Sequence, residues 1–72
     1  MARIEKISIT EHIHPADFSV SYLCQFAVDG RKCVPFWSHR IDRERLGDDR
    51  WFESLVENAE QLVREGNVDG QS

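Results

Sequence analysis

Along residues 18–28 apolar and polar positions alternate almost without interruption. Phe18, Val20, Tyr22, Cys24, Phe26 and Val28 fall on one face, and Ser19, Ser21, Leu23, Gln25 and Ala27 on the other. A period of two marks a strand with one buried face. Asp29-Gly30 follows, the pair that suits a type I′ hairpin turn because both central residues need positive φ. A two-residue loop pairs Val28 with Arg31 and, carried on, sets Phe26 opposite Cys33, Cys24 opposite Pro35 and Tyr22 opposite Trp37. Upstream, His14-Pro15-Ala16-Asp17 reads as a turn with proline at its second position. It pairs Ile13 with Phe18, Ile9 with Tyr22 and Ile7 with Cys24, which puts the isoleucines on the aromatic face. A type I turn with a glycine bulge at Asp29-Gly30 would instead turn Val34 and Phe36 inward. Pro35 suits an edge strand, as the third strand is in the order 1-2-3.

Residues 38–46 are polar and charged, either the end of the third strand plus a loop or a short helical turn over 42–46. After Gly47-Asp48-Asp49, a helix-start signal, Trp51, Phe52, Leu55, Val56, Ala59, Leu62 and Val63 recur at helical spacing until Gly66. The expected fold is therefore α+β: a three-stranded antiparallel sheet with one C-terminal amphipathic helix packed on one face. The domain spans residues 1–66, and 67–72 form a flexible tail. The helix's apolar stripe is expected to cover Ile7, Ile9, Tyr22, Phe26 and Trp37, and their burial is the main term offsetting chain ordering.

A chain of 72 residues forms one domain with little room for a deep catalytic pocket. No apolar run approaches the roughly 20 residues of a membrane span, and residues 1–5 lack the apolar core of a signal peptide, so a cytoplasmic protein is expected. Cys24 and Cys33 are too few for a disulfide framework and fall in strands, which predicts buried free thiols. The net charge of −4 is uneven. Residues 1–47 carry seven basic against six acidic side chains, whereas residues 48–72 carry two against seven. The acidity belongs to the helix, where Glu53, Glu57, Glu60 and Glu65 form an acidic surface with a Glu60–Arg64 pair on it.

No motif specifies a reaction, a metal or a cofactor. His12 and His14 have the spacing of strand-borne ligands, but the register sends Cys24 and Cys33 to the opposite face, so no Cys/His cluster closes. Asp17 with the two histidines would make only an exposed site. Ser38-His39 lacks a nucleophile-elbow context, and Asp48-Asp49 is explained by the helix dipole.

The outer sheet face carries the functional expectation. In the preferred register it presents Lys6, Leu23, Lys32, Val34, Phe36 and Arg40 and no carboxylate. Leu23, Val34 and Phe36 would form an apolar centre ringed by the three cations, the build of an interface. The expected function is a non-catalytic protein-interaction, adaptor or inhibitor module using this face, the acidic helix, or both, with self-association included. Single-stranded nucleic-acid binding by the basic face is the alternative, opposed by the net charge.

Overall fold

The computed structural model describes residues 3–70. Met1 and Ala2, at the start of the stretch read as leaderless, and Gln71 and Ser72 of the expected tail lie outside the described residues. The elements are β1 (Ile4–Ile13), β2 (Val20–Val28), β3 (Arg31–Lys32), β4 (Phe36–His39), α1 (Arg40–Leu46) and α2 (Asp48–Arg64). β2 is central, with β1 on one side and β3 followed by β4 on the other, all antiparallel. This is the expected α+β sheet with a C-terminal helix, with α1 added. No helix among the described residues is long and apolar enough to cross a membrane.

The core follows from two periodicities. The alternating residues Tyr22, Cys24, Phe26 and Val28 of β2 are buried, as are Trp51, Leu55, Ala59 and Val63, one per turn of α2. Stacking these rows on each other removes both apolar faces from water. Asp29 and Gly30 have φ of 52° and 82°, so the hairpin turn is of the expected primed type. α1 closes the end of the core through Arg43, whose guanidinium lies over the Tyr22 and Trp51 rings at 5.6 and 5.1 Å. Arg43 also donates to Tyr22 Oη at 3.2 Å and to Asp48 Oδ1 at 2.9 Å.

Two inserted residues change which side chains face where. In β1 the ladder shifts between Lys6 and Ser8, leaving Ile7 as a bulge. The six-residue loop 14–19 sets Ile13 opposite Val20 and so Ile9 opposite Cys24 rather than Tyr22, while the bulge turns Ile4 and Lys6 toward the helix side, opposite Val28 and Phe26. On the other edge the hairpin keeps Cys33 on Phe26, its N–H donating to the Phe26 carbonyl at 2.9 Å. The chain then gains one residue through Val34-Pro35, where proline supplies no ladder donor. β4 consequently pairs Phe36 with Cys24, Trp37 with Leu23, Ser38 with Tyr22 and His39 with Ser21. The expected outward Phe36 and inward Trp37 are thus exchanged: Phe36 stacks on Phe26 with centroids 6.3 Å apart, and Trp37 points away from the helix.

The segment expected to be a loose tail is tied down at its start. Val68 bridges Cys33, the Asp69 N–H donates to the Lys32 carbonyl, and the Val34 N–H donates to the Asn67 carbonyl. This pairing covers the outer edge of β3.

Candidate functional site

The face of the sheet away from α2 is organised around Ser21 and Leu23. Across the strands, Thr10, Leu23 and Trp37 form one row and His12, Ser21 and His39 the next. Trp37 is 54% exposed although it lies beside the central strand, because no helix covers this face. The His12 ring meets it edge-on at 5.1 Å. That contact packs one side of the indole, while more than half of its surface stays open to solvent.

The loop between β1 and β2 brings a third histidine to the same place. The chain makes six loop residues between Ile13 and Val20. The His14 N–H donates to the Ser19 carbonyl, the Phe18 N–H to the His14 carbonyl, and the Ser19 N–H to Asp17 Oδ1. That last hydrogen bond holds the Asp17 carboxyl below its ordinary range. The closure also sets Phe18 at φ 59°, a left-handed conformation a bulky side chain rarely adopts, with 78% of its surface exposed.

His14 Nε2 then lies 3.4 Å from Ser21 Oγ, and His39 Nδ1 lies 3.3 Å from the same oxygen. His14, Ser21, Trp37 and His39 line a shallow, mostly apolar cleft of about 300 Å³. Ser21 is 2% exposed, and its hydroxyl sits within long hydrogen-bond reach of both imidazoles. The hydroxyl acts as a buried spacer that orients two rings. The cleft therefore offers an exposed indole with imidazole nitrogens beside it, suited to a side chain with an apolar body and a polar tip. Among the described residues no group of three His, Cys, Asp or Glu side chains is arranged to hold a metal.

Of the residues expected to form the contact surface, Leu23 lies in this row beside Trp37, and Lys32 stands at the far end opposite Ala27. Val34 lies half-buried in the link between β3 and β4. Lys6 and Phe36 lie on the helix side, for the register reasons above. Arg40 begins α1, where it pairs with Glu44 at 2.9 Å. The face also carries carboxylates: Glu5 turns outward opposite Ala27, and Asp69 accepts from Gln25 Nε2 at 3.0 Å. The expected basic, carboxylate-free face is replaced by an aromatic and imidazole cluster at one end and a mixed-charge end at the other.

The residues sequence reasoning missed are Trp37, His14, Ser21 and His39. Val34-Pro35 within an alternating run was the available signal for Trp37, since a proline there marks a break in the ladder. On α2, Glu53 and Glu57 are exposed and Glu60 half-buried, and Glu65, capping its C-terminal end, is exposed. The expected Glu60–Arg64 pair does not form; the ion pairs among the described residues are Arg40–Glu44, Arg43–Asp48 and Asp42–Arg45.

Cys24 and Cys33 are free and buried on the helix side, as the strand pattern predicted. Burial, with Cys33 nearby, pushes the Cys24 thiol up to about 11. Comparison of the chain with known protein families, curated proteins and solved structures finds no match.

Proposed function

We propose that this chain is a small, non-catalytic protein-interaction module that receives its partner on the open sheet face, with Trp37 as the anchor. The observation that carries this reading is the half-exposed indole held edge-on by His12 over an uncovered sheet. Tryptophan is among the residues that dominate binding energy when a partner desolvates it. A residue from the partner fills the cleft between Trp37, His14 and His39 while Leu23 and Thr10 supply the flat remainder. The buried free thiols support a reducing compartment such as the cytoplasm for this module.

Single-stranded nucleic acid is the second reading, favoured by one observation, an outward aromatic on which a base could stack. The charges support it less than the sequence alone did. Lys6 faces the helix side, Arg40 is engaged by Glu44, and Glu5 and Asp69 stand on the same face as Trp37. Few cations remain to neutralise phosphates near the indole. Titration with labelled oligonucleotides across salt separates the two. Protein binding through Trp37 predicts no oligonucleotide affinity at low salt, whereas a steep log-linear loss of affinity with salt would favour nucleic acid.

A further inference from the structure

β1 is the long free edge of the sheet. Its ten residues pair with β2 on one side and with nothing on the other among the described residues. It also exposes apolar surface, with Ile13 at 59% and Ile7 at 42%. A free strand of this length presents a row of unpaired N–H and C=O groups, and natural edges are normally shortened, covered or charged. Inward charges do occur here, since Lys6 and Glu11 both lie on the helix side. What decides their meaning is how they fall when β1 meets itself.

We propose that two copies of this chain associate through β1, antiparallel about a two-fold axis at Ile9, into one continuous sheet. With Ile9 opposite the partner's Ile9, Ser8 lies opposite the partner's Thr10. The bulge at Ile7 then skips one residue, as it does against β2. Beyond it Lys6 meets the partner's Glu11, Glu5 meets the partner's His12, and Ile4 meets the partner's Ile13. Every pair agrees in face: Ile4, Lys6, Ile9, Glu11 and Ile13 share the side of the β2 core residues, and Glu5, Ser8, Thr10 and His12 share the other. The two-fold axis doubles each contact, so both inward lysines face inward glutamates and all four terminal isoleucines are covered.

The next register that preserves the faces, centred on Thr10, sets Ile9 against the partner's Glu11 and Lys6 against the partner's Ile13, and loses both charge pairings. Cross-strand opposite charges stabilise and mismatches do not, so the register centred on Ile9 is selected. The helices do not obstruct it. Three strand spacings separate the two β2 strands, roughly 14 Å, more than the roughly 10 Å width of a helix. This interface is separate from the Trp37 face and stands without it, but it places both Trp37 side chains on one side of the joined sheet, roughly 24 Å apart at five strand spacings.

The test is charge reversal with complementation, followed by sedimentation velocity. Wild type is expected to shift from monomer to dimer between micromolar and near-millimolar concentration. K6E sets carboxylates against carboxylates and E11K sets ammonium groups against ammonium groups, so each alone is expected to raise the dimer dissociation constant at least about tenfold. An equimolar mixture of K6E and E11K restores opposite charges at all four positions and is expected to dimerise as wild type does.

Both positions are exposed, and circular dichroism checks that each variant folds. If one does not, hydrogen exchange of the wild type serves instead: dilution is expected to deprotect β1 amides and leave α2 unchanged. A wild type that stays monomeric at near-millimolar concentration, a dimer indifferent to both reversals, a mixture that does not recover, or β1 exchange independent of concentration would each overturn the proposal.

Discussion

Trp51 donates its indole N–H to Ser38 Oγ at 2.9 Å inside the core, so β4 presents a serine, and not its neighbouring tryptophan, to the helix. The Trp51 ring also meets Tyr22 at 5.0 Å and lies under Arg43. Ser38→Ala leaves a buried donor without its partner and is expected to cost about 1–3 kcal/mol. Trp51→Ala removes the ring as well and should cost about 3–5 kcal/mol, enough to unfold much of a domain this small. Urea denaturation of both variants measures the pair. A Ser38→Ala midpoint equal to wild type would place the indole N–H elsewhere.

The same relationship separates the two tryptophans by access to solvent. In Trp51→Phe the remaining indole is Trp37, and its emission should be red-shifted and strongly quenched by acrylamide. In Trp37→Phe the remaining indole is Trp51, 5% exposed, and quenching should be several-fold weaker. Equal quenching of the two folded variants would contradict the one-residue insertion at Val34-Pro35.

How much was legible from residues alone is set by where the alternation runs unbroken. β2 and α2 carry clean periods of two and of one turn, and the Asp29-Gly30 turn has its own chemistry. The sheet, its order and the buried cysteines follow from these. Ile7 and the Val34-Pro35 link each add one residue without spoiling the local composition, and one extra residue reverses every side chain beyond it. That is why Lys6 and Phe36 were expected outward and are not. The histidine cluster was illegible for a different reason: His14, Ser21 and His39 come from a loop and two strands, and only the folded loop joins them.

Cys24 is expected to react through unfolding alone. Its thiol stays protonated at neutral pH, with burial raising it from 9.0 to about 11. Labelling by a small disulfide reagent without denaturant should follow the rate of opening, and rise sharply in urea. A group whose folded value is raised contributes stability that is complete below its unfolded value and is lost above it. Thermal stability should therefore fall between about 9 and about 11, and Cys24→Ala, though less stable throughout, should lack that part of the decline. Fast labelling of native protein would contradict the burial.

On the acid side, the Arg43 guanidinium holds the Asp48 carboxyl below its ordinary value of 3.8 through the hydrogen bond between them. A lowered carboxyl contributes stability present above its unfolded value and lost as pH falls through its folded one. Melting temperature should thus drop as pH falls below about 4, and Asp48→Asn should flatten that drop while lowering the plateau near neutrality. An unchanged acid limb in Asp48→Asn would show that other carboxylates carry it.

Trp37 as the binding anchor is tested most directly by quantitative affinity capture from extracts of the cells that make this protein, with wild type, Trp37→Ala and Arg64→Ala as baits. Arg64 lies exposed on α2, away from the open sheet face. All three baits should be folded, since the Trp37 side chain contributes little to the core. A partner protein retained at stoichiometric level by wild type and Arg64→Ala, and reduced about thirtyfold by Trp37→Ala, is the expected result. Retention of the same partner by folded Trp37→Ala at the wild-type level would contradict the account.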